Sequence, residues 1–398
     1  MKNNITKSSI DFIPKIKTHV KKLNVSNFRN HKKLQLSFSD KDILLYGFNG
    51  VGKTNILEAV SFLTSGRGLR KAKIKDLNFI DFKNKIDCKY PWSINSDIVT
   101  PEGKFNIGTG INIKNCSRVI KIENETSKQS DLSRIVKISW ITPQMLLIFQ
   151  SSMQEKRRFI DRLINMINPI HVNILHKYEK LIRERSKIIS DFNENHIWLE
   201  AIEKEIIKLS IEIIKNRNDF VLKMNDQFLN VNLNNRYFPC IKVQIRGEAE
   251  KLFNDSGSEK YSKEVLRIMQ YNKKCKNLSF PGPHKSDINI YRISDQKEIK
   301  YSSTGEQKII LISFILRHCD LMQVIYRQPP ILLLDDIIEH LDEKHTMALF
   351  KKTSIYNAQC WFTSTNPKIF KNYPSLYEPI NVGDIKIKDL QGNELKYA

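Results

Sequence analysis

A glycine-rich segment near the amino terminus has the residue types and spacing of a phosphate-binding loop. Gly47 is followed, after four residues, by Gly52, Lys53 and Thr54, which fulfils the pattern G-x-x-x-x-G-K-[ST]. The glycines allow backbone N–H groups to wrap around a phosphate, and the following helix adds the partial positive charge of its amino terminus. The lysine would reach the β- and γ-phosphates of a nucleotide, and the threonine hydroxyl would ligate Mg²⁺.

A pair of adjacent acidic residues lies almost at the other end of the chain. Asp335 and Asp336 directly follow the aliphatic run at 331–334, which is typical of a strand buried on both faces of a parallel sheet. Beside a phosphate loop, the first carboxylate would bind the Mg²⁺ shell, and the second would orient or deprotonate an attacking water. A helix cap or a solvated turn is the alternative for two aspartates, but the buried strand before them favours the catalytic interpretation.

The segment YSSTGEQK, shortly before the acidic strand, resembles the signature of ATP-binding-cassette proteins, usually written L-S-G-G-Q. Ser303 and Gly305 match the serine and the second glycine, whereas Ser302, Thr304 and Glu306 depart from the pattern. In such a motif a hydroxyl and a helix amino terminus meet the γ-phosphate that a second subunit presents. The match therefore predicts a closed symmetric dimer over two nucleotides. An ordinary helix cap, with Glu306 in the first turn, is the alternative.

A strand, a loop and a helix must position the phosphate loop, and its flanks predict them. KDILLY before the loop indicates a short buried strand, and TNILEAVSFLTS after it has the apolar spacing of a helix. The two halves of the nucleotide site lie far apart in the chain, which favours ATP-binding-cassette heads and their chromosome-associated relatives. The predicted fold class is α/β, an ATP-binding-cassette-type phosphate-loop ATPase head with an inserted, mainly helical second domain.

The inserted domain is predicted from apolar residues that repeat every three or four positions between residues 151 and 230. Pro169 ends the first of these helices. The predicted domain organisation is an amino-terminal extension at 1–19, the first part of the head at 20–145, a helical lobe at 146–280 and the second part of the head at 281–398.

Composition limits the class of protein. The chain has 398 residues and a formal net charge of +22, which favours a polyanionic partner such as DNA. The abundance of Lys, Asn and Ile is also what AT-rich codon usage would produce, so drift is an alternative source of the charge. Six cysteines without a C-x-x-C pair fit a reducing, cytoplasmic compartment. No continuous apolar run approaches the roughly 20 residues of a membrane span, and we expect no membrane partner.

A short basic segment offers a candidate DNA contact. GRGLRKAKIK, which follows the predicted phosphate-loop helix, contains five basic residues and no acid. We expect Arg67, Arg70 and Lys71 to contact DNA, and a solvated loop is the alternative. The basic, polar first twenty residues indicate a loose extension rather than an export signal, with a transit peptide as the less favoured interpretation.

Taken in chain order, the motifs resemble those of the RecF family. The resemblance extends from about residue 20 to residue 370. The matching segments are NFRN with Phe28, Arg29 and Asn30; GFNGVGKTNILEAV; SGRGLRKAKIKDL; WITPQ with Gln144; KRRFID with Arg157, Arg158, Phe159 and Asp161; PGPHKSD with Gly282, Pro283, His284, Lys285 and Asp287; STGEQK; and LLLDDIIEHLD.

The resemblance implies further site residues and partners. Asn49 and Gly50 would join the ATP-binding residues, and Gln144 would reach the metal or the water. The 363–365 segment lies where ATP-binding-cassette heads usually carry a residue that senses the γ-phosphate, although it contains no histidine. It implies an ATP-dependent homodimer that clamps DNA, acts with RecR and RecO to load RecA at gaps, and serves the SOS response. Asp336 occupies a position where cassette ATPases usually carry Glu, so we expect weak, slow ATP hydrolysis that serves as a switch.

Two other classes of protein remain as alternatives. A transporter ATPase or a helicase would need a switch histidine or further motor motifs, which we do not find in the sequence. An SMC-like chromosome-organising head is the main alternative. It would need long heptad arms, for which 398 residues leave little room.

Overall fold

The computed structural model describes residues 16–79, 91–190, 196–229, 237–274, 278–370, 375–385, 387–388 and 394–395. Most of the predicted amino-terminal extension, residues 1–15, lies outside these ranges. Two compact units divide the chain. Unit 1 consists of Met1–Met145 and Met322–Ala398, and unit 2 consists of Leu146–Leu321.

Helices and strands alternate in the head segments, and helices dominate between them. The helices are α1 Lys53–Ser61, α2 Gln129–Ile135, α3 Met153–Ile167, α4 His171–Ser190, α5 His196–Leu229, α6 Glu248–Lys274, α7 Thr304–Tyr326 and α8 Glu343–Thr353. The strands are β1 His19–Phe28, β2 His31–Ser37, β3 Asp42–Tyr46, β4 Ser93–Thr100, β5 Gly103–Asn112, β6 Ser117–Ile122, β7 Glu125–Thr126, β8 Ile138–Ile141, β9 Ile241–Arg246, β10 Asp287–Arg292, β11 Ile331–Leu334, β12 Cys360–Ser364, β13 Tyr377–Asn381, β14 Ile387–Lys388 and β15 Glu394–Leu395.

A parallel five-stranded sheet organises unit 1, with the strand order β13-β3-β12-β11-β8. Every residue of β8, β11 and β12 is buried, as expected for strands covered on both faces. The strand predicted before the phosphate loop is β3, and the strand predicted before the aspartates is β11. Because all five strands run in the same direction, the segments that follow β3, β8, β11 and β12 emerge at the same edge of the sheet.

A second, antiparallel sheet of unit 1 has the order β2-β1-β4-β5-β6-β7. Its apolar side chains share one core with α1 and the parallel sheet, including Val20, Leu23, Ile56 and Leu333. An aromatic cluster lies within this core, and the ring centroids of Phe28 and Trp92 are 5.7 Å apart. Helix α1 therefore packs against both sheets of unit 1. This packing restricts the position of the glycine-rich loop that precedes the helix.

Unit 2 is mainly helical, as the apolar periodicity predicts. Helices α4, α5 and α6 surround a core that includes Ile206, Ile213, Tyr261 and Met269, each almost fully buried. Helix α6 carries one non-helical residue, Gly257, at φ 75°. Helix α3 ends at Ile167, two residues before Pro169, which the sequence predicts as the end of this helix.

The extent of unit 2 differs from the predicted helical lobe. The prediction ends the lobe at residue 280, whereas the structural unit continues to Leu321. Strand β10 pairs with β9 in antiparallel register from Asp287 to Arg292, and Phe314 of α7 lies 5.7 Å from Phe159 of α3, measured between ring centroids. Helix α6 separates β9 from β10 in the chain, and 155 positions separate Phe159 from Phe314, so local sequence patterns do not reveal these contacts.

Within the described part of the chain, α7 is the one helix long and apolar enough to cross a membrane. Of its most apolar 18-residue window, 67% is buried inside the protein. This degree of burial is what the core helix of a globular protein shows.

Candidate nucleotide-binding site

The predicted phosphate loop connects β3 to α1 through backbone that favours glycine. Gly50 has φ 89° and Gly52 has φ 102°, in the left-handed region that other residues rarely adopt. A Cβ atom at Gly52 would also lie 2.6 Å from the Asn30 side-chain nitrogen and 2.8 Å from His31 Nε2. Gly52 is thus required by both conformation and space, whereas Gly50 is required by conformation alone.

Lys53 begins α1 and folds its side chain back over the loop. Its Nζ donates hydrogen bonds to the carbonyl oxygens of Gly47 at 2.7 Å and Phe48 at 3.1 Å, and the residue is 5% exposed. Asn49 and Gly50 are exposed, and Phe48 is 87% exposed. The loop therefore combines a fixed ammonium group, accessible backbone and the positive end of a helix, which together suit a phosphate.

The structure brings the two halves of the predicted site together. The hydroxyl of Thr54, in the first turn of α1, donates a hydrogen bond of 2.8 Å to Asp335 Oδ1. Asp335 follows the last residue of β11 and is 5% exposed. Since β12 lies between β3 and β11, this bond crosses the end of the intervening strand.

Thr363 of β12 lies beside both acids. Its hydroxyl oxygen accepts a hydrogen bond of 2.7 Å from the Asp336 N–H. The same oxygen is 2.8 Å from Asp336 Oδ1 and 3.2 Å from Asp335 Oδ1, so its single proton can bond to one carboxylate at a time. Asp336 has φ 49°, an uncommon conformation for a non-glycine residue, and the bond from its N–H helps to hold it there.

Burial changes the proton affinity of the first acid. Desolvation raises the pKa of Asp335 from 3.8 to about 6, and the neighbouring Asp336 carboxylate adds to this effect. The hydrogen bonds from Thr54 and Thr363 oppose it. A cation bound at this carboxylate would favour the ionised form and lower the pKa again.

The oxygen atoms at this edge of the sheet fit a small, hard cation. A threonine hydroxyl and a carboxylate are the kind of ligands that Mg²⁺ combines with water and phosphate oxygens. Among the described residues, no group of three or more His, Cys, Asp and Glu could form a metal site by itself. Thr54 and Asp335 would be the protein ligands of such a cation, beside water and phosphate oxygens.

Gln144 lies beyond the carboxyl end of β8, the strand that pairs with β11. Ile141 is in register with Leu334, so the segments carrying Gln144 and Asp335 leave the sheet side by side. The Gln144 side chain is exposed. Gln144 thus lies at the predicted edge of the sheet, but it forms no hydrogen bond with Asp335 or Asp336.

Sequence reasoning missed a polar network that supports α1. Arg29 donates from Nε and Nη2 to the two carboxylate oxygens of Glu58, both at 2.8 Å, and Glu58 is fully buried. Asn55 donates to Asn30 Oδ1 at 2.7 Å and accepts from Arg70 Nη1 at 2.8 Å. Such paired guanidinium–carboxylate contacts fix the rotation of α1 about its axis. The resemblance highlighted the residue types, but only the structure shows which groups pair.

The same network bears on the predicted DNA contacts. Arg70 lies 3.6 Å from Glu58 Oε2 in addition to its bond with Asn55, and 38% of its side chain is exposed. Arg67 and Lys71 are exposed on the same loop, where Lys71 adopts φ 55°. Arg70 therefore helps to support the phosphate-loop helix, whereas Arg67 and Lys71 remain the more accessible members of this predicted group.

A partly buried arginine stabilises the other end of α1. Arg118 of β6 donates to the carbonyl oxygens of Phe62 and of Gly66, the latter at 2.8 Å. Burial lowers the pKa of this guanidinium to about 10, which leaves it charged at neutral pH. A cation at the carboxyl end of a helix opposes the negative end of its dipole. Nothing in the local sequence around Arg118 indicates this role.

The predicted signature segment lies in unit 2, at the amino terminus of α7. The Ser303 hydroxyl accepts a hydrogen bond of 3.3 Å from the Glu306 N–H, and Glu306 Oε2 accepts one of 2.9 Å from the Ser303 N–H. Arg292 contacts the other oxygen of Glu306 at 2.8 Å. The helix-cap interpretation therefore describes the local geometry. Ser303 and Gly305 are nevertheless exposed, and a Cβ at Gly305 would meet no atom within 4 Å.

Comparison with known proteins shows the protein family to which the chain belongs. The family model described as RecF/RecN/SMC N terminal domain matches residues 19–384. The chain is 33% identical to the DNA replication and repair protein RecF of Rickettsia canadensis (strain McKiel), across 88% of this chain and 95% of that protein. It is 31% identical to the RecF protein of Agrobacterium fabrum, across 89% of this chain and 94% of the relative. The chain therefore belongs to the RecF family.

Solved structures agree on the fold. A structure of the recombination mediator protein RecF with ATPrS, in the RecFOR pathway, has a TM-score of 0.78 at 21% identity and covers 92% of this chain and 97% of that chain. The Smc head domain from Pyrococcus furiosus has a TM-score of 0.50 at 17% identity, with 89% and 92% coverage. The predicted fold class, an α/β ATP-binding-cassette-type ATPase head, is confirmed.

The raised pKa of Asp335 predicts a pH-dependent loss of stability in the absence of ligands. Its folded-state pKa of about 6 exceeds the ordinary value of 3.8, so the folded state binds the proton more tightly and stability falls as pH rises between these values. Asp335→Asn removes this cost. Urea denaturation should show the variant more stable than the unaltered protein by about 2–3 kcal/mol near pH 7. This difference should shrink by about 1 kcal/mol near pH 5.

The exposed Asp40 provides the matched control, because Asp40→Asn changes the same groups outside the site. Metal chelator is present throughout, so that no cation stabilises the ionised carboxylate. A variant that is less stable than the unaltered protein at neutral pH would contradict the assigned burial of this charge.

Proposed function

We propose that this protein is a DNA-binding ATPase of DNA replication and recombinational repair that uses ATP-dependent dimerisation as a switch. The observation that carries the proposal is the hydrogen bond between Thr54 and Asp335, which joins the predicted phosphate loop to the predicted metal-binding acid. Membership of the RecF family supports the DNA-repair role. The ATP-bound recombination mediator RecF, whose fold is similar at a TM-score of 0.76, supports ATP as the nucleotide.

Binding of ATP is assigned to the phosphate loop. Gly47, Asn49, Gly50 and Gly52 surround the phosphates with backbone N–H groups, and Lys53 exchanges its two loop carbonyls for phosphate oxygens. Thr54 and Asp335 would hold Mg²⁺ when it is bound with the nucleotide. Bound Mg²⁺ supplies positive charge that stabilises the negative charge developing on the phosphate oxygens.

Hydrolysis is assigned to residues at the same edge of the sheet. Asp336 accepts a proton from, or orients, the attacking water, and Gln144 contributes a second polar contact to that water. Thr363 holds the Asp336 backbone and side chain in place through two contacts. Because aspartate is one methylene shorter than glutamate, its reach to the water is poorer and turnover is slow. Slow turnover suits a switch, which must persist in its ATP state.

Dimerisation is assigned to the signature segment. Ser303 and Gly305 are exposed at the amino terminus of a 23-residue helix, where a hydroxyl and free backbone N–H groups suit an anion. We assign their ligand as the γ-phosphate bound by a second copy of the chain. Differential contact with ATP and ADP then shifts the population between dimer and monomer.

DNA binding is assigned to basic surface, including Arg67 and Lys71, with a lesser part for Arg70. The formal net charge of +22 supports a polyanion as partner. Contacts made mainly to phosphates predict little sequence specificity and a steep loss of affinity with salt. The proposed setting is gapped DNA, where the protein acts with RecR and RecO to load RecA during the SOS response.

Lys53→Ala tests the phosphate loop. The variant should lose ATP binding and ATP-induced dimerisation, because no other ammonium group of this loop can contact the phosphates. Sedimentation velocity with Mg²⁺ and a non-hydrolysable ATP analogue should give a dimer for the unaltered protein and a monomer for the variant. Lys41→Ala, at an exposed position before β3, provides the control and should dimerise normally. An unaltered protein that stays monomeric would refute the switch itself.

Asp336→Asn tests the assignment of the water-positioning acid. The amide cannot accept the proton, so the variant should bind ATP yet hydrolyse it at least about tenfold more slowly. It should therefore remain on DNA longer than the unaltered protein. Dissociation of fluorescent duplex DNA, chased with unlabelled competitor in the presence of Mg²⁺ and ATP, measures this lifetime. Faster release by the variant would exclude the assigned role.

A further inference from the structure

Unit 2 contains a cleft whose lining is rich in arginine. It has a volume of about 370 Å³ and lies among α3, α4, α5 and the turn at Pro283. We call it the arginine cleft, and it is defined by Arg157, Arg158, Arg183 and Arg217. The functions assigned above to the phosphate loop, the signature segment and the basic loop do not use this cleft.

The floor of the arginine cleft is a buried, neutralised framework. Arg217 donates to both carboxylate oxygens of Asp161, at 2.9 and 2.8 Å, and to the carbonyl oxygen of Pro283 at 2.7 Å. His171 Nε2 lies 3.0 Å from the same carboxylate. Burial raises the pKa of Asp161, but the contacts with Arg217 and His171 outweigh it and lower the pKa to about 2. The charge of Arg217 is therefore already paired, and this group fixes the walls of the cleft.

The other three arginines have no such partner. Arg157 donates one hydrogen bond to the carbonyl oxygen of Ser286 at 2.6 Å. Burial lowers the pKa of Arg157, and the positive charge of the nearby Arg217 lowers it further. Arg158 and Arg183 are exposed, and within the described residues neither forms a hydrogen bond or an ion pair. The acids in the lining are the paired Asp161 and the exposed Glu179. An unpaired excess of guanidinium charge therefore faces the cleft.

The choice of arginine over lysine is informative in this chain. Lysine is the abundant cation of the sequence, and drift in codon usage would add more lysine. Yet the guanidinium and ammonium groups that line the cleft all belong to arginine, among the residues that the structure describes. Arginine presents a planar fork of donors that matches the oxygens of a phosphate, whereas lysine acts as a point charge. The arginine side chains of this cleft therefore suit a phosphate by the arrangement of their donors as well as by their charge.

We propose that the arginine cleft binds a phosphate group of a DNA strand through Arg157, Arg158 and Arg183. This inference rests on the proposed function, because it takes DNA as the partner, and it adds a second contact surface on the helical unit. The framework of Arg217, Asp161 and His171 positions the cleft without contacting the strand. The cleft holds the backbone and discriminates poorly between base sequences.

Arg158→Gln with Arg183→Gln tests the cleft, because both side chains are exposed and their loss leaves the buried framework intact. Fluorescence anisotropy with a labelled gapped duplex should show affinity reduced by about tenfold at moderate salt. The slope of log affinity against log salt should fall by about one, because the cleft holds one phosphate group. ATP-analogue binding should be unchanged, since the phosphate loop belongs to unit 1.

Two further variants sharpen the experiment. Arg246→Gln with Arg267→Gln removes the same number of exposed guanidinium groups from unit 2 outside the cleft, and should change affinity less than about twofold. Glu179→Gln removes the unpaired acid of the lining and should strengthen DNA binding by about twofold to threefold. Addition of inorganic phosphate should weaken binding by the unaltered protein more than binding by the double cleft variant.

The outcomes separate this inference from the proposed function. If the unaltered protein binds DNA and the cleft and control variants lose affinity equally, the arginine cleft is overturned and DNA binding stands. If the unaltered protein does not bind DNA at any salt concentration, both proposals are overturned. If the cleft variant binds DNA as tightly as the unaltered protein, and inorganic phosphate weakens DNA binding by both proteins equally, the proposed role of the arginine cleft is also overturned.

Discussion

The hydrogen bond from the Thr54 hydroxyl to Asp335 is the contact on which the account depends. It joins a residue near the start of the chain to one near its end, and it exists because β3, β12 and β11 are parallel neighbours. Parallel strands place the groups after their carboxyl ends at one edge. The phosphate loop, the two acids and Thr363 therefore converge, although the entire helical unit separates them in sequence. The cost of this arrangement is a buried carboxylate with a raised pKa, which a bound cation would relieve.

The surrounding structure restricts how far this edge can move. Glu58 and Arg29 hold one face of α1, Arg118 holds the carbonyls beyond its carboxyl end, and a core shared by two sheets surrounds it. Pre-organisation of this kind matters for the proposed switch, because ATP and ADP would differ only in the contacts made by one phosphate. Loops that relaxed freely around ADP and ATP alike would remove that difference. The same logic applies to the arginine cleft, where a buried ion pair fixes the walls and exposed arginines make the contact.

The sequence predicted those features that depend on neighbouring residues in the chain. The phosphate loop needs left-handed glycines and a lysine at fixed spacing, so Gly52 and Lys53 were identifiable from sequence alone. The buried run before Asp335 predicted a central strand for the same reason. The Arg29–Glu58 pair, the Arg118 contacts and the end of unit 2 were not predictable, because each depends on segments that meet only in three dimensions. At the signature, Ser303 caps its own helix, and because its side chain is exposed the contact with a partner's phosphate stays a prediction.

The most direct test of the central claim asks whether one nucleotide site is completed by two chains. Ser303→Arg should bind ATP normally yet remain monomeric, because the long side chain fills the space for the partner's phosphate. Mixing it with Lys53→Ala should restore one composite site, formed by the intact loop of one chain and the intact serine of the other. Analytical ultracentrifugation with Mg²⁺ and a non-hydrolysable ATP analogue should then give a dimer with one nucleotide. Normal dimers of Ser303→Arg alone, or a mixture that stays monomeric while that variant still binds ATP, would contradict the account.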